Sequence, residues 1–451
     1  GVTKNFYLVA DDPSNRLIGI DGIADDESAT CAHVSCGDGH FLALTVTSPS
    51  CPDGALLLAP LREDRTPAPR EEWLTLLAHS EDRRLASALA LRDHLLVGVR
   101  HNGRNVVLTA RCADLGSGGA RFTAIDPWGD ADINLAMTPE WDAEEILVAR
   151  TSLVQKLSLY RVRIDEPTAA HRIGPQPPES PVPYVEEQIH AKAEDGQDVP
   201  ITVVRRADGP PKAPVLLCGY GAYDANVGRR YNPMLLRLVD VGVVYAFAHV
   251  RGGGEKGSGW HEAARGLGKP RSFTDFLACR DELVARGLAD PARIVAMGGS
   301  AGGLLVAASL NADPAAFCGV VADVPFVDPL TTMMKPELPL TISDRKEWGD
   351  PLEDPDIARC IRSYSPYHNV RPVEYPPVLA TCGSDDSRVS AVEPLKWINR
   401  LRHDATGGPF LLRVRSGGHV GNSTIDDGLR EQALEYVWIA DRLGVRLSAG
   451  S

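Results

Sequence analysis

The sequence predicts two domains of different class: an all-β region over residues 1–175 and a doubly wound, mainly parallel α/β sheet over 184–451. Three observations predict it. Short apolar runs bounded by Gly, Asn, Asp or Pro recur through the first part, as strands require. The stretch Pro175-Gln-Pro-Pro-Glu-Ser-Pro-Val-Pro183 is stiff and buries little, so 176–183 reads as a linker. Beyond it, apolar strands alternate with amphipathic helices, the pattern of βαβ units.

Composition bounds the function. With 451 residues, 43% hydrophobic and 24% charged, the chain has ample length for a core. A net charge of -13 argues against nucleic acid and anionic membranes as partners. Nine cysteines are scattered without a CxxC pair or metal-ligand spacing, which predicts reduced thiols, a cytoplasmic setting and neither metal nor cofactor. No apolar run is long enough to span a bilayer. No signal peptide is visible, but the chain opens on Gly1 rather than Met, so its natural N-terminus is expected to lie upstream.

Four strand-turn-strand units run through the first region: Asn5–Ala10 with Arg16–Ile20, His40–Val46 with Gly54–Ala59, His94–Val99 with Asn105–Ala110, and Glu145–Arg150 with Lys156–Arg161. Their recurrence every ~40–50 residues is the period of propeller blades, and a β-sandwich is the alternative. Trp128 and Trp141 are expected in the core. After the linker, Glu187–Arg206 predicts a hairpin turning at Glu194-Asp195-Gly196. Strands follow at Val215–Cys218, Val241–Val250, Ile294–Met297, Gly319–Val324, Pro377–Thr381 and Phe410–Val414. Helices are expected at Phe273–Arg286, Leu304–Leu310, Val392–Arg402 and Leu429–Leu443.

Between the strand at Ile294–Met297 and the helix at Leu304–Leu310 stands Gly298-Gly-Ser300-Ala-Gly302. Gly-x-Ser-x-Gly in that context is a nucleophile elbow: glycines let strand and helix approach, and the serine hydroxyl is exposed at a helix N-terminus. A serine needs a base, and the base an orienting carboxylate, in the chain order Ser, Asp or Glu, His. Two loops after strands supply candidates. Thr381-Cys-Gly-Ser-Asp385-Asp386 offers Asp386 or Asp385, and Ser416-Gly-Gly-His419-Val-Gly offers His419. His403, after the helix Val392–Arg402, competes as a capping residue. The Ala301 amide is one oxyanion donor, and Tyr220 in Gly219-Tyr-Gly-Ala-Tyr223 a second, unless both tyrosines only pack the loop.

Read together, Gly219-Tyr-Gly-Ala-Tyr223, His249-Val-Arg-Gly-Gly-Gly-Glu255, Met297-Gly-Gly-Ser-Ala-Gly-Gly303, Val324-Pro-Phe-Val-Asp328, Glu347-Trp-Gly-Asp-Pro351 and Ser363-Tyr-Ser-Pro-Tyr367 resemble the prolyl oligopeptidase family of serine peptidases, most closely its oligopeptidase B branch. The resemblance covers about 184–451 and is diffuse over 1–175. It implies an α/β-hydrolase catalytic domain preceded by a partial β-propeller that restricts substrates to short peptides. It implies Ser300 as nucleophile, Asp386 as triad acid, His419 as base, and Tyr220 with the Ala301 amide as oxyanion hole. It also implies cleavage after Arg or Lys, with Asp344 receiving the cation through a bidentate pair, and Arg388 holding the substrate backbone.

The chain departs from the family pattern in three ways. The family's propeller has seven blades, and about four fit here, so the chain reads as N-terminally truncated. Its open edges could be covered by a homodimer. Gly228-Arg229-Arg230 and Lys346 stand where acids favour a second basic residue, which puts dibasic preference in doubt. Cys360 stands where prolyl oligopeptidase stacks a tryptophan on proline, which argues against proline specificity. The remaining alternatives are an acyl-aminoacyl peptidase or esterase of the same fold, or a truncated inactive chain.

Overall fold

The computed structural model describes residues 6–8, 17–36, 39–101, 103–116, 120–128, 132–175, 182–227, 231–420 and 424–447. The linker expected at 176–183 lies outside them except for Val182 and Pro183, and so do Gly228, Arg229 and Arg230. The chain divides into two compact units, residues 1–178 with 255–259 and residues 179–254 with 260–451.

Among the described residues, the first unit holds three four-stranded antiparallel sheets, each a meander in sequence order, as propeller blades are. They run from Ser28–Cys36 to Leu74–Leu77, from Arg83–Ala90 to Thr123–Ile125, and from Asp132–Leu135 to Ala170–Ile173. The hairpins expected at residues 40–59, 94–110 and 145–161 are the middle strands of these sheets. The middle strand Gly39–Ser48 is covered on both faces, which is why Leu42, Ala43 and Leu44 are all buried in succession. The fourth expected unit contributes a pair of three-residue strands, Phe6–Leu8 and Leu17–Gly19. Trp128 packs edge-on against Tyr160 with ring centroids 4.5 Å apart. Trp141 departs from expectation: it is 59% exposed. It sits in the turn before Glu145–Thr151, where no strand pleat directs its ring inward.

The second unit is built on one eight-stranded sheet. Its strands are β1 (Tyr184–Lys192), β2 (Asp198–Arg206), β3 (Ala213–Gly219), β4 (Val244–Ala248), β5 (Ala289–Gly299), β6 (Gly319–Asp323), β7 (Val378–Gly383) and β8 (Phe410–Arg415). The spatial order is β1-β2-β4-β3-β5-β6-β7-β8. The first two are antiparallel to their neighbours, and every pairing from β4 onward is parallel. This is the α/β-hydrolase arrangement. Strands covered on both faces are apolar throughout, which is why runs such as Val215-Leu-Leu217 and Ile294-Val-Ala296 were readable.

The helices of this unit include α1 (Pro233–Asp240), α2 (Pro270–Ala285), α3 (Ala301–Ala312), α4 (Thr341–Trp348), α5 (Val392–Asp404) and α6 (Ile425–Arg442). Every residue of α3 from Ala301 to Asn311 is buried, so the helix that begins at Ser300 is fixed on all sides. No helix among the described residues is long and apolar enough to cross a membrane.

Candidate active site

The C-terminal ends of β5, β6, β7 and β8 share one edge of the parallel sheet, where open α/β sheets place their sites. Ser300 stands between β5 and α3 with φ 55 and ψ -117, a conformation a non-glycine residue holds only when its surroundings enforce it. The enforcement is visible. Ser300 N donates to the Asp323 carbonyl at 2.8 Å, and Phe326 N donates to the Ser300 carbonyl at 3.1 Å. A Cβ on Gly298 would lie 2.1 Å from the Gly302 carbonyl oxygen, and one on Gly303 would lie 2.4 Å from Pro325 Cβ. Strand, helix and the 323–326 loop therefore close on the serine only because those positions are glycine. The Ala301 N–H heads α3, where the first amides of a helix have no intrahelical acceptor.

The two loops proposed to carry the acid and base are laced together. Ser384 N donates to the Arg415 carbonyl at 2.9 Å, and Asp385 N to the Gly417 carbonyl at 3.0 Å. A Cβ on Gly383 would lie 2.6 Å from the carbonyl oxygens of both Gly417 and Gly418, so this approach requires glycine. Asp386 Oδ1 accepts from the amides of Arg388 and Val389 at 2.8 and 2.9 Å. Its Oδ2 lies 2.7 Å from His419 Nδ1, with the carboxylate 1% and the imidazole 9% exposed. A carboxylate only accepts, so Nδ1 carries the proton and Nε2 is left to accept another. Asp385 instead faces Ser384 and is exposed. His403 lies inside α5 rather than after it, is 87% exposed and pairs with the adjacent Asp404.

The Tyr220 hydroxyl neighbours that of Ser300; burial raises its pKa, while hydrogen bonding with Ser300 and the nearby Arg388 guanidinium lower it. Among the described residues Ser300 makes no hydrogen bond to His419, a contact often long before substrate binds.

Asp344, in the first turn of α4, is half-buried, and burial raises its pKa; the nearby Tyr223 hydroxyl opposes that shift. Tyr223 is held at φ 60, its hydroxyl accepts from Trp348 Nε1 at 3.0 Å, and its amide donates to Glu347 Oε1 at 3.0 Å. Glu347 also meets His261 Nε2 at 2.6 Å and Lys269 Nζ at 3.7 Å. Burial would raise the Glu347 pKa, yet these partners together pull it down. On Lys269 burial wins over the same pair, and its pKa falls to about 8. Glu347 and Trp348 stood in a recognisable motif, but nothing local in Gly268-Lys269-Pro270 signals a buried ammonium. Lys346 is exposed on α4, and the half-buried Cys360 thiol faces the Gly266 and Leu267 carbonyls.

The chain is 34% identical to protease 2 of Moraxella lacunata over 82% of this chain and 54% of that protein. It is equally identical, 34%, to dipeptidyl aminopeptidase BI of Pseudoxanthomonas mexicana over 83% of this chain and 52% of that protein. It thus spans about half the length of the curated relatives it matches. Oligopeptidase B from Leishmania major superposes with a TM-score of 0.83 at 27% identity, over 98% of this chain and 63% of that one. Oligopeptidase B from Trypanosoma brucei, solved with covalently bound antipain, gives 0.82 at 29% identity over 96% and 61%. The family model for the prolyl oligopeptidase family matches residues 230–446. Through that span, which contains the strained serine turn and both loops facing it in sequence, the chain belongs to the prolyl oligopeptidase family.

Proposed function

We propose that this chain is a serine oligopeptidase acting in the cytoplasm on short peptides, cleaving after Arg or Lys. The observation that carries the reading is the buried 2.7 Å contact between Asp386 and His419, on loops at the same sheet edge as the strained Ser300. In this reading His419 Nε2 takes the Ser300 proton as the hydroxyl attacks the scissile carbonyl. Asp386 holds the tautomer and balances the imidazolium. The Ala301 amide and the Tyr220 hydroxyl donate to the developing oxyanion. The tetrahedral species collapses, His419 protonates the leaving amine, and water then hydrolyses the acyl-enzyme by the same route. The covalently bound antipain of the similar Trypanosoma brucei enzyme agrees with covalent chemistry at such a site.

Asp344 supports the basic preference. Burial disfavours its charge, and an incoming guanidinium would restore that charge through two parallel hydrogen bonds. Arg388 is read as the donor to a substrate carbonyl, since its guanidinium reaches the field of Tyr220.

The test is hydrolysis of three chromogenic amides with Arg, Pro or Phe at the cleaved bond. The Arg amide is expected to be cleaved, with activity lost in Ser300→Ala. Asp344→Asn should lower kcat/KM for the Arg amide about 10–100-fold, the worth of a charge-assisted hydrogen bond, and spare the Phe amide. In the wild type, KM for the Arg amide alone should rise as pH falls and Asp344 takes up a proton. Equal losses on both amides in Asp344→Asn would refute the basic preference. No Ser300-dependent cleavage of any amide would refute the peptidase reading.

A further inference from the structure

Beneath the proposed triad lies a group of charges that the proposed mechanism does not use. Asp323 ends β6, and its carbonyl receives the Ser300 amide at 2.8 Å. Its carboxylate accepts from Thr381 Oγ1 on β7 and pairs with Arg415 Nη1 on β8 at 3.4 Å. Thr381 Oγ1 in turn accepts from Val324 N at 3.2 Å, and Val324 is strained at φ 41. One side chain thus ties together three strand ends. Ser300 hangs on the first, Asp386 follows Thr381 by five residues, and His419 follows Arg415 by four.

Arg415 is only partly satisfied: its Nε is buried without a hydrogen-bond partner. Within electrostatic reach of Arg415 is Glu435 of α6, 7% exposed. The titratable and charged groups acting on Glu435 include Asp323 from β6, Arg413 and Arg415 from β8, and Glu431 and the neutral Tyr436 from its own helix. Arg413 is committed to Glu431. Three carboxyl groups therefore share two guanidinium groups, and the buried one loses: burial, with Asp323 second, pushes Glu435 up to about 8. Near neutral pH Glu435 is uncharged and leaves Arg415 to Asp323. Once ionised, it adds a negative charge that competes with Asp323 for the same guanidinium.

We propose that Asp323 and Arg415 are positioning residues that hold the end of β6, on whose carbonyl Ser300 hangs, in catalytic register with the acid and base strand ends, with Glu435 deciding whether Arg415 stays on Asp323. The proposal rests on the Ser300 hydrolase reading. A plain sheet-edge salt bridge would change stability alone; a positioning pair changes the turnover of folded enzyme.

The test uses the rate at which a fluorophosphonate labels Ser300, which needs no knowledge of the substrate, alongside kcat and KM on whichever amide is cleaved. Arg415→Met and Asp323→Asn should each slow labelling and kcat about 10–100-fold with little change in KM, as small misplacements at a reacting centre do. The double variant should be no slower than either single one, and Arg415→Lys should recover part of the rate. Asp323→Asn is isosteric, and cooperative thermal unfolding of each variant checks that it is folded. Relative to Glu435→Gln, wild-type labelling should fall as pH rises from about 7 to 9, the window set by the raised carboxyl. A wild type that labels while folded Arg415→Met labels within about two-fold of it would overturn this proposal alone; two-fold is under half of the ~1.4 kcal/mol that a tenfold change represents. So would pH profiles for wild type and Glu435→Gln that superimpose. Failure of the folded wild type to label would overturn the hydrolase reading, and the proposal with it.

Discussion

At the scale of single residues, the serine turn is a problem of space, and the glycines around it are not equivalent. Gly298 faces the Gly302 carbonyl at 2.1 Å from any added Cβ, backbone against backbone, so nothing flexible can give way. Gly299, its neighbour, has nothing nearer than 3.6 Å and no positive φ. Gly298→Ala is therefore expected to destabilise by about 1–3 kcal/mol or more and to displace Ser300, while Gly299→Ala stays within about 0.5 kcal/mol. Thermal unfolding with fluorophosphonate labelling checks both, and similar losses from the two would mean the turn relaxes. This difference was not readable in the sequence, where both are simply glycines before a serine. Ser300, Asp386 and His419 stood out because each lies in a glycine-bearing loop just after a strand. Asp323, Arg415 and Lys269 did not, because their partners are 58, 92 and 78 residues away in the chain (Thr381, Asp323 and Glu347) and only the folded sheet brings them together.

Elements were legible where burial is complete and obscure where it is partial. Middle strands such as Gly39–Ser48 and Cys51–Pro60 carry continuous apolar runs and could be read. Outer strands such as Ala170–Ile173 have no fully buried position and carry no such signal. Among helices, α4 buries only Thr341, Glu347 and Trp348, a set with no apolar period, so it was invisible. By contrast Pro355–Tyr364 buries Ile357, Ile361 and Tyr364 on one face behind an Asp354 cap, a signal that was present and passed over. The same cap chemistry starts α1. The Asn232 side chain accepts from Met234 N at 3.0 Å and Leu235 N at 3.3 Å, with Pro233 at the first helical position. Asn232→Ala should therefore cost about 1 kcal/mol, and Asn232→Asp or Asn232→Ser should keep most of it. The denaturant midpoint should fall in the alanine variant relative to wild type, and an unchanged midpoint would show that Pro233 alone starts the helix.

At the scale of the whole molecule, the acidic balance of -13 meets several carboxyl groups that the fold has buried among like charges. Burial pushes Glu393 up to about 7, beside Asp328, and Glu435 up to about 8, beside Asp323. A carboxyl group whose folded pKa lies above the unfolded value of about 4.3 keeps a proton that the unfolded chain releases. Its contribution is fully present below the unfolded pKa and is lost as pH rises through the folded one. Stability should thus decline from about pH 5 to pH 9, a decline that net charge alone would also produce through self-repulsion. The two causes separate in Glu435→Gln, which removes one buried acid and changes the net charge by one. Because the chain has two compact units, a single unfolding free energy is not defined, and the comparison is between unfolding temperatures of wild type and variant at each pH. Near pH 5 both carry a neutral group at 435, and their temperatures should lie close together. By pH 9 the wild type must bury a charge beside Asp323 and Glu431 that the variant lacks. The wild type should then melt several degrees below Glu435→Gln, at about 2–4 °C for each kcal/mol of difference. Curves that stay parallel from pH 5 to 9 would mean that Glu435 finds its countercharge in Arg415 without loss, and that the three carboxyl groups do not compete for two guanidinium groups.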